Sequence, residues 1–262
     1  MLIKANDIQI NYKLSGRKNA PVVVLSHSLG SSLVMWDPQM EALEPDFQVL
    51  RYDTRGHGGS EASAGAYTLE LLSDDTIGLL DALSIDKVHF VGLSMGGMIG
   101  QCLALNHSDR LESLALCDTA AIIPEEVQSI WQERIDTVRG KGVQALVEPT
   151  LERWFTPSFL RLDSLRVAVI RKQFLATPME GYIGCLEAIR RLNLLDRLSE
   201  IRMPTLIIAG EDDPGAPVVA CEVMHKRISN SRLVILPSAR HLSNVEQPEA
   251  FNSALVSFLK AL

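Results

Sequence analysis

Gly92-Leu93-Ser94-Met95-Gly96 is a G-x-S-x-G element, and residues of these types at this spacing can make one serine a nucleophile. The β-favouring run Val88-His89-Phe90-Val91 precedes it, and the helix-like stretch Met98 to Leu105 follows. That context predicts a sharp strand-to-helix turn with the Ser94 hydroxyl exposed at its tip and glycines where other backbone passes close. A serine hydroxyl is a poor nucleophile near neutral pH, so it needs a base, and the base needs an acid to orient it. After an elbow of this kind the acid comes next in the chain and the histidine last. Gly210-Glu211-Asp212-Asp213-Pro214-Gly215-Ala216-Pro217 directly follows a strand-like run, and His241 follows the final one. Asp212 and Asp213 compete for the acid's place. Asp213 is preferred because three residues beyond Gly210 leave room to turn off the strand, while Asp212 is expected to cap the turn. The other histidines (His27, His57, His89, His107, His225) lack the late position and read as packing or turn residues.

Acyl transfer also needs donors for the oxyanion that develops on the attacked carbonyl. The backbone N–H of Met95, next to the nucleophile, is one candidate. The N–H of Leu29, in the glycine-containing loop His27-Ser28-Leu29-Gly30-Ser31-Ser32, is the other. Asp53-Thr54-Arg55-Gly56-His57-Gly58-Gly59-Ser60 is glycine-rich but lacks the spacing and the lysine of a phosphate-binding loop. It reads as a structural turn that orders neighbouring loops.

The elements that must position these groups alternate between strand and helix. Ile8 to Leu14 alternates and reads as an edge strand, whereas Val22 to Ser26, Gln48 to Tyr52 and Val88 to Val91 are continuous apolar runs of strands covered on both faces. Leu69, Leu72, Ile77, Leu80 and Leu83 carry helical spacing, and Leu111 to Cys117 is a further strand. From about Ile122 to Arg191 strand signals stop, leaving amphipathic helical stretches rich in aromatic residues. The rhythm then resumes with Pro204 to Gly210, a helix over Ala216 to Ile228, the strand Arg232 to Leu236 and a closing helix from Pro248. This pattern predicts an α/β fold with a mostly parallel sheet. Its core comprises residues 1–121 and 192–262, and a helical cap inserted at 122–191 lies over the strands' carboxyl ends, where such sheets bind ligands.

The 262 residues suit a single α/β domain, and 47% apolar against 22% charged content supports a large core. A net charge of −7 argues against a nucleic-acid partner and an anionic membrane surface, and means that an anionic ligand would need a local cation. The start of the chain has no signal-like apolar segment, and no stretch is long enough to span a membrane, so a cytoplasmic location is expected. Cys102, Cys117, Cys185 and Cys221 form no C-x-x-C pair and read as small buried groups in a reducing compartment, not as disulfides or a metal site. No cofactor is called for. The expected partner is a small-molecule substrate, with homo-oligomerisation left open.

Together these elements resemble the α/β-hydrolase superfamily over essentially the whole chain, and within it the 3-oxoadipate enol-lactonases of bacterial aromatic catabolism. The likeness is carried by Ser28-Leu29-Gly30 with Met35-Trp36-Asp37, by Asp53 to Ser60, by Gly92 to Gly97, by Gly210 to Pro217 and by His241 to Pro248. In the inserted segment, Trp131 to Arg134 and Leu151 to Pro157 also resemble that family, although His27-Ser28 departs from the commoner His-Gly pair of the superfamily. The resemblance implies a helical lid inserted after the sixth strand and the opening of a small carboxylated enol-lactone through an acyl-enzyme, in the β-ketoadipate pathway. For the carboxylate the lid offers Arg134, with Trp131 and Trp154 nearby; the planar fork of arginine can donate two bonds at once. The competing expectations are a broad-specificity carboxylesterase or cofactor-free haloperoxidase-like hydrolase, and a ligand receptor that keeps the fold without turnover.

Overall fold

The computed structural model describes every residue of the chain except Asp163. Its strands are β1 (Leu2–Ala5), β2 (Ile8–Gly16), β3 (Val22–Ser26), β4 (Gln48–Tyr52), β5 (Val88–Leu93), β6 (Leu111–Cys117), β7 (Thr205–Gly210) and β8 (Ser231–Leu236). They form one eight-stranded sheet in the order β1-β2-β4-β3-β5-β6-β7-β8. The first two strands pair antiparallel, and β2 runs antiparallel to β4; every neighbouring pair from β4 to β8 is parallel. Ile8 to Leu14 is therefore not an edge strand. Leu2–Ala5 covers it, joined by a tight hairpin in which Asn6 and Asp7 take φ of 44° and 65°. Four residues are too few to show a period, and the turn chemistry of Asn-Asp is the signal that could have revealed them.

Helices α1 (Asp37–Leu43), α2 (Leu69–Ala82) and α3 (Met95–Asn106) fill the connections of the first half. Thr68 caps α2 by accepting the Leu71 N–H at 3.1 Å. Between β6 and β7 the described residues form helices and no strand: α4 (Gln128–Lys141), α5 (Val147–Trp154), α6 (Pro157–Leu162), α7 (Ser164–Ala176) and α8 (Met179–Arg190), with short 3-10 turns. The chain closes with α9 (Val218–Arg227), α10 (Ser243–Glu246) and α11 (Pro248–Leu259), the last opened by a proline whose missing N–H costs nothing at that position. Every residue of β5 and of β7 is buried, as apolar strands covered on both faces must be. Packing pairs α2 with α3 and α1 with α11, while α3 lies on β5 and β6.

The two ends of the inserted helices run side by side. Ile122 bridges Asn193, Ile123 N–H donates to Leu192 O at 3.0 Å, and Leu194 N–H donates to Ala121 O at 2.8 Å. Trp154, Phe174 and Tyr182 then pack edge to face in series, at 5.7 and 5.4 Å between ring centroids, and hold α5, α7 and α8 together. Because β4 to β8 are parallel, all their carboxyl ends share one rim of the sheet. The loops that leave this rim carry Asp53, Ser28-Leu29, Ser94, Asp118, Asp213 and His241.

Candidate active site

Ser94 sits between β5 and α3 at φ 56° and ψ −116°, a conformation that costs on the order of 1–3 kcal/mol for a residue with a side chain. Close packing on both sides and two backbone hydrogen bonds hold it there. A Cβ on Gly92 would lie 2.1 Å from Gly96 O, and one on Gly96 would lie 2.2 Å from Ser26 O. Ser94 N–H donates to Cys117 O at 2.8 Å, and the Thr119 hydroxyl donates to Ser94 O at 2.8 Å, so the end of β6 grips the turn from the side. The result is an aimed hydroxyl.

His241 Nε2 lies 2.8 Å from Ser94 Oγ, and His241 Nδ1 lies 2.7 Å from Asp213 Oδ2. Asp213 Oδ1 accepts the Gly215 N–H at 2.7 Å, which leaves Oδ2 for the imidazole. The chain distances behind these contacts are 147 and 28 residues. Burial alone would lower the His241 pKa, but the charge of Asp213 and its hydrogen bond outweigh it and leave the pKa raised. Asp213 is only 4% exposed. Asp212 is exposed, and its N–H donates to Ala239 O at 2.9 Å.

Leu29 lines the same cavity as Ser94, and its N–H has no partner among the described residues. Met95 is buried behind the cavity wall, and as the first residue of α3 its N–H has no carbonyl one turn back to bond. The loop that carries Leu29 is held by two buried histidines. His57 Nε2 accepts the Gly30 N–H at 3.0 Å, and His27 Nε2 accepts the Thr54 N–H at 2.9 Å. Both acceptors require a neutral ring, and burial keeps both neutral, lowering the His27 pKa and pushing that of His57 down to about 3. Asp53 adds a third tie by accepting the Leu33 N–H at 2.7 Å. The Asp53–Ser60 turn thus orders its neighbours through hydrogen bonds.

The cavity holds about 110 Å³, small beside the ~300–1,000 Å³ of a drug-sized site. Ser94, Asp213 and His241 form one side. Trp131, Arg134, Arg153, Trp154, Tyr182 and Ile189, all from α4, α5 and α8, form the other. The Arg134 guanidinium carbon lies 5.3 Å from the centre of the Trp131 ring. Desolvation lowers the Arg134 pKa, and among the described residues no carboxylate pairs with it. Arg153, a second guanidinium at this wall, contacts Thr150 Oγ1 at 3.4 Å. Its place in the cavity was not legible in the sequence, where it is one more basic residue on an amphipathic helix. No group of three or more His, Cys, Asp or Glu among the described residues could hold a metal ion, and all four cysteines are free and buried.

Asp118 is the other residue the motifs did not show. It follows β6 at φ 45°, is fully buried and faces the cavity. Its Oδ1 accepts the Gly210 N–H at 2.7 Å, and its Oδ2 shares a 2.5 Å hydrogen bond with Ser243 Oγ, so it joins the acid loop to the helix after His241. Burial first, then the Asp213 charge, pushes its pKa from the ordinary 3.8 up to about 8. A carboxyl that keeps its proton in the fold until about pH 8, yet loses it near 3.8 when unfolded, makes the native state progressively less favoured as pH rises between those values. In Asp118→Asn the amide oxygen can accept from Gly210 and the NH2 can donate to Ser243, copying the protonated acid without the titration. The Tm of this variant relative to wild type should therefore climb between about pH 5 and about pH 8. A difference independent of pH, by thermal scans across that range, would show that Asp118 is already ionised at the acid end.

This fold, with a strained serine, an imidazole and a carboxylate meeting at one rim, defines an α/β hydrolase. A family profile described as alpha/beta hydrolase fold matches residues 21–248, and the chain belongs to that family. It is 37% identical to 3-oxoadipate enol-lactonase 2 of Acinetobacter baylyi (strain ATCC 33305 / BD413 / ADP1), over 98% of this chain and 96% of that protein. Among solved structures it matches the enol-lactonase from Burkholderia xenovorans LB400, with a TM-score of 0.96 and 42% identity over 99% of this chain and 100% of the other. It also matches a thermophilic esterase from Thermogutta terrifontis, solved with malate bound, with a TM-score of 0.94 and 30% identity over 100% and 98% of the two chains. No helix among the described residues is long and apolar enough to cross a membrane.

Proposed function

We propose that this hydrolase opens a small enol-lactone bearing a carboxylate, of the 3-oxoadipate enol-lactone type, through an acyl-enzyme on Ser94. His241 takes the Ser94 proton on Nε2 as Oγ attacks the ring carbonyl, while Asp213 holds the proton on Nδ1 and steadies the imidazolium. The N–H groups of Leu29 and Met95 donate to the oxyanion. Collapse of the tetrahedral intermediate breaks the ring C–O bond and expels an enolate, which needs little acid help because its charge is delocalised; the proton His241 took from Ser94 then passes to the enolate carbon, which gives the ketone and leaves Nε2 free to act as base again. Water then gives a proton to His241 and attacks the acyl-enzyme; His241 returns that proton to Ser94 Oγ as the acyl bond breaks, and the second carboxylic acid leaves and ionises. The product is a keto-dicarboxylate.

The observation that carries the carboxylated substrate is Arg134. A desolvated guanidinium without a carboxylate partner faces the cavity that holds the serine, in a chain whose net charge is −7. Leaving such a cation unpaired is costly, and a bidentate carboxylate relieves that cost. Trp131 and Trp154 supply the flat apolar walls for the ring, with Arg153 as a second cation nearby. Arg134→Met keeps the stem and removes the charge. It should raise KM for the carboxylated lactone roughly 10- to 100-fold and leave KM for an uncharged aryl ester within about twofold. Equal effects on the two substrates would reject the clamp.

The likeness to an esterase keeps broad ester hydrolysis as a second reading. A turnover panel of the enol-lactone against simple aryl esters decides between the two. A receptor without turnover is separated from both by fluorophosphonate labelling, which requires an activated Ser94.

A further inference from the structure

The cavity wall and the general base are joined by a set of hydrogen bonds that the triad alone does not call for. Glu246, in α10, is 7% exposed and has three donors on its carboxylate. Its Oε1 accepts the Thr156 N–H at 2.9 Å and the Thr156 hydroxyl; its Oε2 accepts the Arg240 N–H at 2.8 Å. Thr156 lies just beyond α5 in the inserted helices, whereas Arg240 is the residue before His241. On the other side of the base, Leu242 N–H donates to Trp154 O at 3.2 Å. The Arg240 guanidinium donates to Glu152 O and reaches Phe155 O at 3.5 Å. Residues 152–156 are thus bonded to both chain neighbours of the catalytic imidazole, and this same segment places Trp154 in the cavity.

We propose that Glu246 is a positioning residue for the base, tying the lid segment 152–156 to the histidine loop so that the lid's placement sets the alignment of His241 Nε2 on Ser94 Oγ. The inference rests on the triad reading above. A carboxylate suits the task because it presents two acceptor oxygens with no donor, and all its partners here are donors. A ligand seated against Trp154 presses on the segment that holds the base, so occupancy of the cavity and readiness of the nucleophile are linked through the bonds of Glu246 together with those of the two residues flanking His241.

Glu246→Gln separates the two halves of this tie. The amide oxygen still accepts from Thr156, but the NH2 meets the Arg240 N–H as donor against donor, which breaks the Glu246 bond to the histidine loop while the Leu242 N–H and the Arg240 guanidinium keep theirs to residues 152–155. For this variant kcat should fall roughly 10- to 100-fold on both an acetate aryl ester and the lactone, with KM moving less than about threefold. Fluorophosphonate labelling of Ser94 should slow by a similar factor, because it reads the Ser94–His241 alignment without needing the lid. A kcat and labelling rate within about twofold of wild type, or a change confined to KM, overturns the proposal. Should Glu246→Gln fail to fold, Thr156→Val carries the test by removing one lid-side donor. It should lower kcat and labelling several-fold, and an effect on KM alone overturns the idea equally. Ser94→Ala serves as the control. If it still turned over, the triad reading would fall and this inference with it; a silent Ser94→Ala beside a fully active Glu246→Gln overturns this inference alone.

Discussion

Replacing Ser94 with alanine is expected to lower kcat/KM for lactone and ester alike by at least about a thousandfold, because among the described residues no other hydroxyl bonds His241 Nε2. The fold should survive. The hydroxyl's recorded partner is the imidazole, and the bonds that hold the strained turn run through the Ser94 backbone, to Cys117 O and from Thr119 Oγ1. Alanine keeps those bonds and pays no new steric penalty at φ 56° beyond the one serine already bears. Steady-state kinetics with a thermal melt on the same sample checks both halves of the statement. A rate within about tenfold of wild type would mean that another group attacks the carbonyl.

Asp213→Asn should cost nearly as much, about 10³- to 10⁴-fold in kcat, through the tautomer of the imidazole. Asp213 Oδ1 accepts the Gly215 N–H, so an asparagine keeps its oxygen there and turns its NH2 toward His241 Nδ1. Facing a donor, Nδ1 must become the acceptor, and the ring proton moves to Nε2. Nε2 then opposes the Ser94 hydroxyl with a proton of its own and cannot act as base. The neighbouring Asp212→Asn is the matched control, since its side chain is exposed and it should stay within about twofold of wild type. Comparable losses in the two variants would mean that Asp213 does not orient the base.

The fold was legible wherever local pattern and packing agree. Buried strands such as Val88–Leu93 and Thr205–Gly210 are continuous apolar runs because helices cover both faces, and the helices between them carry their own spacing. Leu2–Ala5 escaped because a four-residue strand has no period, and its absence made β2 look like the edge. Within the site, the elbow around Ser94 was legible because close backbone packing demands glycine on both sides of it. Asp213 and His241 were legible because each leaves the carboxyl end of a strand late in the chain.

Asp118 and Glu246 were hidden for a different reason. The contacts of Asp118 with Gly210 and Ser243 span 92 and 125 residues, and that of Glu246 with Thr156 spans 90. No composition, period or spacing marks an acid whose partners are backbone N–H groups on distant loops. The buried carboxyl near Ser243 and the tie between lid and histidine exist only once the parallel strands have brought their loops to one rim.

By itself, then, the amino-acid order determined which groups this chain could use: a serine forced into a strained turn, an acid and a histidine each following a strand, and an arginine among tryptophans in a helical insert. Only the tertiary structure decided their distances, their protonation and their supports, because burial, desolvation and hydrogen bonds between remote segments are properties of the packed molecule and of no stretch of sequence.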